Sequence, residues 1–321
     1  MLKSESLRFA LFIYTRPAMK RALSTLLIVT LGLAACRQTE SHHNASPSGA
    51  LIDDLGHSVA LSNPPRRIVS VAPSLTEIVY LLGSDSSLVG VTDYCDYPEA
   101  AKKKARIGGM LNPSIERILA LDPDLVLMSG SGNLKSDYDQ LTSAGVRVFV
   151  SYPRSIEGVL KSIRDCGVLT GRQPAADSMT NLLRARCDSL SRFAATRKGA
   201  SVLMLLSLNP LIAIGPGTFL NELLTMANGK NIVRDSSMAY PVISREEVIR
   251  RQPDVIIATN DIVRSKGDIL AAYPEWKSLT AIRNGRVTLV DASCVSRPGP
   301  RIVDGLESIL HAIHGNGTLH R

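Results

Sequence analysis

Ser114–Leu127 reads SIERILALDPDLVL, and Ser244–Ile257 reads SREEVIRRQPDVII. The two stretches lie 130 positions apart throughout, so Ser114 matches Ser244, Glu116 matches Glu246, Pro123 matches Pro253 and Asp124 matches Asp254. In each, a serine suited to cap a helix precedes an acid in the first turn, where a carboxylate opposes the helix dipole. Glu247, three residues past Ser244, is placed to complete a capping box. Each helix then feeds an apolar strand that begins at the aspartate. One helix-to-strand unit written twice in the same frame predicts two lobes of one design.

Working outward from these stretches, the same alternation continues on both sides. RIVSVAPSLTEIVYLLG, from Arg67, joins a β-branched strand to a helix with apolar residues at Leu75, Ile78, Val79 and Leu82 and a stop at Gly83. LVGVT, DLVLMS and VRVFVSY read as further strands, and SDYDQLTSAG as a helix. The second set runs through strand SVLMLLS, loop NPLIAIGPG, helix TFLNELLTMANG ending at Gly229, strand DVIIAT, helix PEWKSLTAIRNG, strand RVTLVDA and a last helix from near Pro300. Alternating strands and helices make an α/β protein with mainly parallel sheets. The expected units are an N-terminal α/β lobe at 51–153, a helical linker at 154–198 and a C-terminal α/β lobe at 199–321. Gly171 and Pro174 divide the linker into a shorter helix and a long one reaching about Thr196, expected to act as a stiff strut. LIDDLGHSVAL, ahead of the first full strand–helix unit, reads as a short hairpin.

A chain of 321 residues has room for two cores of ordinary size. Its formal charge of +8 is partly a property of the leader, where residues 1–35 hold five basic groups and one acid. The other 32 basic and 28 acidic residues are scattered, without a basic helix or aromatic–basic interleaving, so nucleic acid is not an expected partner. Lys20-Arg21 precede the apolar run ALSTLLIVTLGLAA, which is too short to span a bilayer comfortably and reads as a signal peptide. Leu33-Ala34-Ala35-Cys36 resembles a bacterial lipobox, which implies cleavage before Cys36, lipid attachment to its thiol and an exported protein anchored at the membrane and facing the periplasm. Met19 suits a translation start better than Met1, and residues 36–50 read as a flexible tether. Cys95, Cys166, Cys187 and Cys294 are spaced as isolated thiols, with a Cys166–Cys187 bridge as the alternative.

Local helix chemistry explains an acid near each helix start but does not require one per lobe in matched frames. Two lobes related by pseudo-symmetry would present Glu116 and Glu246 at the two ends of one face. Such a face suits a two-fold partner with a basic residue in each half, because charge-assisted pairs set register and speed encounter.

From about Arg66 to Leu310 the chain resembles the periplasmic substrate-binding proteins of ABC importers for cobalamin and ferric siderophores, the cobalamin-binding members above all. The likeness is carried by RIVSVAPSLTEIVYLLG, VGVTDYCDYP, LNPSIERILALDPDLVL, NPLIAIGPGTFLNELL, PVISREEVI and RPGPRIVDGLE. It implies two Rossmann-like α/β lobes joined by a long rigid helix, a ligand cleft between them, and a monomer that docks onto a dimeric permease served by a cytoplasmic ATPase. The docking glutamates of related proteins fall on Glu116 and Glu246.

Loops after the strand ends should line the cleft, bringing in Pro73-Ser74, Tyr94, Met110, Ile212, Tyr240 and Arg297. The resemblance puts ligand contacts at Tyr94, Met110, Ser129, Ile212, Tyr240, Cys294 and Arg297. Aromatic faces and a few polar groups suit a corrin ring, and Met110 could lie against such a macrocycle. Arg297 could equally meet a carboxylate or catecholate of a ferric siderophore, so a corrinoid and a ferric siderophore or haem both stand. The histidines, in the tether, hairpin and tail, offer no third ligand to a metal site. An enzyme using a nucleotide at GPGTFL is the different class, but that fragment lacks the third glycine of a dinucleotide loop, and no other catalytic motif accompanies it.

Overall fold

A computed structural model describes residues 50–235 and 237–315. The leader, Cys36 and its tether up to residue 49 fall outside the described residues; Ala50, expected as the last residue of the tether, already belongs to the hairpin.

The chain enters through an antiparallel hairpin of β1 (Ala50–Ile52) and β2 (Ser58–Ala60). The first lobe follows as β3 (Ile68–Ser70), α1 (Pro73–Leu81), β4 (Leu88–Val91), β5 (Ala105–Arg106), α2 (Ile115–Ala120), β6 (Leu125–Ser129), α3 (Lys135–Ser143) and β7 (Val148–Ser151). Its five strands are all parallel, in the order β5-β4-β3-β6-β7. The hairpin turn docks on the β7 edge. Val150 donates its amide to Asp53 at 3.2 Å and accepts from the Asp54 amide at 3.0 Å, while the Tyr152 amide donates to the Asp54 carboxylate at 2.6 Å.

Two helices connect the lobes: α4 (Ile156–Thr170) and α5 (Gln173–Ala195). Gly171 ends α4 in the left-handed conformation at φ 68°, which lets the Arg172 amide close on the Gly167 carbonyl at 2.7 Å. Pro174, lacking an amide proton, sits in the first turn of α5 where none is needed. The expected strut is built differently from a free-standing rod. Helix α4 is fastened to the first lobe through Ser162 on Ser151 at 2.7 Å and Lys161 on Asp54 at 2.8 Å.

The second lobe contains β8 (Ala200–Leu208), β9 (Leu211–Ala213), α6 (Phe219–Met226), β10 (Gly229–Asn231), α7 (Arg245–Arg251), β11 (Val255–Thr259), α8 (Lys266–Ala272), α9 (Thr280–Arg283), β12 (Val287–Val290), α10 (Ala292–Val295) and α11 (Ile302–His314). Parallel strands run in the order β10-β8-β11-β12, with β9 antiparallel to β8. Arg186 of α5 reaches Asp304 and Glu307 of α11 at 3.1 and 3.2 Å, so the longer connecting helix lies along this lobe.

Several expectations are corrected here. Part of the NPLIAIGPG loop is strand β9, and Gly229 begins β10 instead of stopping α6, which ends at Met226. PEWKSLTAIRNG is a 3₁₀ turn at Pro274–Ser278 followed by the short α9, and α8 lies ahead of it. The capping box falls on Ser265 and Asp268 of α8. At Ser244 only half of one forms: the hydroxyl accepts from the Glu247 amide at 3.1 Å, but the Glu247 side chain turns to Arg250 and Arg251.

The duplicated stretch is a repeat down to its backbone. After α2 and α7 respectively, Asp122 and Gln252 both adopt a left-handed φ of 44°, and Pro123 and Pro253 follow. Asp124 then accepts the Arg66 and Arg67 amides at 2.7 and 2.9 Å, while Asp254 accepts the Ser201 amide and hydroxyl, each at 2.8 Å. Each aspartate thereby ties the start of one central strand to its neighbour, where a strand end would otherwise leave amides unpaired.

Side chains alternate across both sheets with the period of two that strands impose. Ile68, Leu125, Leu127 and Phe149 of the first lobe and Val202, Met204, Val255 and Ile257 of the second face one continuous core, which runs through Ile163, Cys166, Ala176, Leu183 and Leu190 of the connecting helices. The opposite faces carry separate clusters around Val126 and Ile256. Cys95, Cys166 and Cys187 are buried free thiols, and Cys294 is a partly exposed one.

Candidate functional site: the cleft between the lobes

A cavity of about 620 Å³ opens between the lobes. Its walls come from carboxyl ends of strands: Ser129 closes β6, Ser207 lies near the end of β8, Thr259 closes β11 and Asp291 follows β12. Ligands collect at this end of parallel sheets because the loops that leave it are free to diverge.

Six of the seven residues expected to touch a ligand line this cavity: Tyr94, Met110, Ser129, Ile212, Tyr240 and Arg297. Tyr94 is 43% exposed, and its carbonyl accepts from Arg297 at 3.3 Å. Met110 is held by its carbonyl, which accepts from Asn133 at 2.7 Å; the same amide group reaches the Val71 carbonyl at 3.1 Å, so Asn133 locks two loops together. Ser129 is buried, with its hydroxyl 3.0 Å from that of Ser131. Ile212 sits on β9 and bridges to Val242, which fixes the loop bearing Tyr240. That loop is fastened again where the Gly215 amide donates to Ala239 at 2.8 Å. Burial, with Tyr152 nearby, holds the Tyr240 phenol above its usual 10.0, Arg154 opposing. Cys294 does not form part of the wall. Its thiol lies 3.7 Å from both Asp291 and Arg301, and its neighbours Ser293 and Ser296 face the cavity instead.

Arg297 is engaged across the cleft. Its guanidinium lies 2.6 Å from Asp96 and 3.5 Å from Glu77, both in the first lobe. Burial raises the Asp96 carboxyl, but the Arg297 hydrogen bond and charge outweigh it and leave the group below its usual 3.8. Glu77 is buried and also receives a two-point contact from Arg301, at 2.9 and 2.7 Å. Neither Glu77 nor Arg301 was among the expected site residues. A signal was present: Glu77 is a lone charge on the helix face otherwise made by Leu75, Ile78 and Val79.

Glu116 and Glu246 stand away from this cavity, exposed in the first turns of α2 and α7. Their helices are matched parts of the repeat. The Glu246 carboxyl sits below its usual 4.5 because its own backbone amide and the Ser244 hydroxyl donate to it. Glu247 beside it is committed to arginines of its own helix; Glu246 is in no ion pair among the described residues.

GPGTFL is explained without a nucleotide. A side chain at Gly215 would place its Cβ 2.4 Å from the Met238 carbonyl oxygen, so the glycine serves the close approach of the Tyr240 loop.

Residues 68–293 match the family model described as "Periplasmic binding protein". The chain belongs to this family. It is 30% identical, over 91% of its length and 96% of the relative's, to an uncharacterized ABC transporter substrate-binding lipoprotein of Bacillus subtilis. Among solved structures it is similar to the periplasmic vitamin B12 binding protein BtuF of Vibrio cholerae, with 28% identity, a TM-score of 0.69 and coverage of 78% of this chain and 96% of that one. It is equally similar to the periplasmic heme-binding protein RhuT from Roseiflexus in its apo form, with 26% identity, a TM-score of 0.71 and coverage of 77% and 97%. The periplasmic binding protein is therefore the substrate-binding component of an importer of the ABC type, a non-enzymatic carrier that works in an exported location with a permease and an ATPase. Its two-lobed α/β fold is that of these neighbours.

Proposed function

We propose that this binding protein captures a corrinoid, cobalamin in the first place, between its lobes and hands it to a dimeric permease. The observation that carries this reading is the charge of the cleft wall. Its ionisable groups are Asp261, Asp291, Arg297 and the two tyrosines, and the single guanidinium is already matched by Asp96 and Glu77. A ferric siderophore presents concentrated negative charge, which such a wall would meet without a spare cation. A corrin ring presents a broad apolar face with an amide rim. It suits Met110, Leu206, Ile212 and Phe219 flanked by the hydroxyls and amides of Ser129, Ser207, Thr259 and Asn260.

Haem is the second reading, favoured by the likeness to RhuT and by two tyrosines at the cavity, since a phenolate can ligate ferric iron. Against it stands the lack of an unmatched cation for the propionates among the residues that line the cavity. Docking is assigned to Glu116 and Glu246, anchoring to a lipid on Cys36, and the working form to a monomer. Calorimetric and visible-absorption titration of the purified protein with cyanocobalamin, a ferric siderophore and haem tests the ligand. Binding of cyanocobalamin well above the others supports the reading, and a Soret shift with haem alone would replace it.

A further inference from the structure

Helices α1 and α6 open the two lobes with related sequences, SLTE at Ser74–Glu77 and FLNE at Phe219–Glu222. Glu77, the fifth residue of α1, and Glu222, the fourth of α6, thus stand near the start of the first helix of each lobe, forming a second pair of corresponding acids. Unlike Glu116 and Glu246 they point inward. Glu77 is 4% exposed and Glu222 is half-buried.

Each carboxylate crosses to the opposite half of the molecule. Glu77 accepts from Arg301 Nε at 2.9 Å and Nη2 at 2.7 Å, and Arg301 is the residue that immediately precedes α11 of the second lobe. Glu222 accepts the backbone amide of Ile156 at 2.9 Å, the first residue of α4, which is bonded to the first lobe. Helices α4 and α11 are counterparts too: α4 follows β7, the last strand of its sheet, and α11 follows β12 after the single turn of α10. The exchange is therefore reciprocal: each lobe sends a carboxylate from its first helix to the start of the other lobe's closing helix. Both contacts are charge-assisted, and the one at Ile156 also places negative charge where a helix start favours it.

The turn that bears Arg301 is also cleft wall. Arg297 and Pro298 line the cavity, and Gly299 lies so close to α1 that a side chain there would meet Ser74 Cβ at 3.2 Å. Moving Arg301 moves that wall. We infer that Glu77 and Glu222 are positioning residues which fix the spacing of the two lobes, so that the cleft is assembled before a ligand reaches it. The inference rests on the reading above that the ligand sits between the lobes.

The test uses Glu77→Gln, Glu222→Gln, the double variant and Arg301→Lys, which keeps the charge but loses the fork. Circular dichroism melts establish that each is folded. Small-angle X-ray scattering of ligand-free protein then reads lobe spacing, and stopped-flow mixing with cyanocobalamin reads assembly of the cleft. The double variant is expected to show a larger radius of gyration than wild type. Its association should be at least about tenfold slower and reach a plateau at high ligand, as a closing step becomes limiting. Each single variant should fall between, with Arg301→Lys close to Glu77→Gln. A lower melting temperature with unchanged scattering and association would overturn the inference and leave the pair as stabilising contacts only. If wild type binds no cyanocobalamin, the ligand reading fails and scattering alone decides the inference. If the double variant does not fold, the single variants decide it by the same two readouts.

Discussion

Asp124 and Asp254 do the same work 130 residues apart: each carboxylate takes backbone amides at the start of the neighbouring central strand, Arg66 and Arg67 in one lobe and Ser201 in the other. Replacing either by alanine strands those amides. The expected cost in urea or thermal unfolding is about 1–3 kcal/mol at the part-buried Asp254 and smaller at the exposed Asp124, whose amide partners water can reach. Hydrogen bonds from the Ser201 amide and hydroxyl hold the Asp254 carboxyl below its usual 3.8, with burial opposing. The sign follows: its contribution is complete above the unfolded value near 3.8 and fades as pH falls through the lower folded value. Wild type should therefore lose stability below about pH 4 more steeply than Asp254→Ala, which unfolding measured against pH checks.

Alanine at both Glu116 and Glu246 should reduce uptake in cells at least about tenfold, while the ligand Kd of the purified protein changes less than about twofold, because exposed charges act on encounter and register. Glu247→Ala is the control. That carboxylate already belongs to Arg250 and Arg251, so uptake should be retained. Equal loss at Glu247 would show that acidity of the helix start in general matters, not one matched pair.

Gly215→Ala drives a methyl group onto the Met238 and Ala239 carbonyls, atoms that cannot swing aside. Overpacking of this kind costs about 1–3 kcal/mol. Because the strain is relieved by shifting the Tyr240 loop, ligand affinity should fall by about tenfold or more in calorimetry. A melt that shifts with no change in affinity would detach this loop from ligand binding.

Thiol reactivity should separate the described cysteines. Burial pushes Cys166 up to about 12 and Cys187 up to about 11, and it also raises Cys95, so these remain protonated and shielded at pH 8. Burial raises the Cys294 thiol as well, so access and not acidity singles it out: partly exposed, it should be the one described cysteine that reacts with Ellman's reagent in the folded protein. The others should react only after unfolding. Thiols neutral in the fold but ionised in the open chain contribute stability that is whole below about pH 9 and fades as pH rises toward 12. Alkaline unfolding should follow that course.

Much of this architecture was legible because it is periodic. The strands around Val69, Val126, Leu203 and Ile257 are apolar runs buried on both faces, and the helices between them carry their apolar stripes openly. What escaped was short or distant. β5, β9 and β10 have two or three residues each, too few to show a period, and exist because a neighbouring strand offers a free edge. Helix α8 was missed although its capping box, Ser265 and Asp268, is written in the sequence. In the cleft, loops after strand ends gave most of the wall, whereas Cys294 shares a turn with Ser293 and Ser296 and spacing alone does not say which faces inward. The Glu77–Arg301 contact joins residues 224 positions apart, and no local pattern announces a partner at that range.

The hairpin seated on β7 has a consequence for self-association. Strand β7 is the margin of its sheet, and a bare margin is a template on which a second molecule can add a strand. With Val150 bonded at both its amide and its carbonyl by Asp53 and Asp54, that template is already filled by the molecule's own opening residues. Trimming the chain back to Arg67 would unmask it and leave the carrier prone to fibrillar stacking.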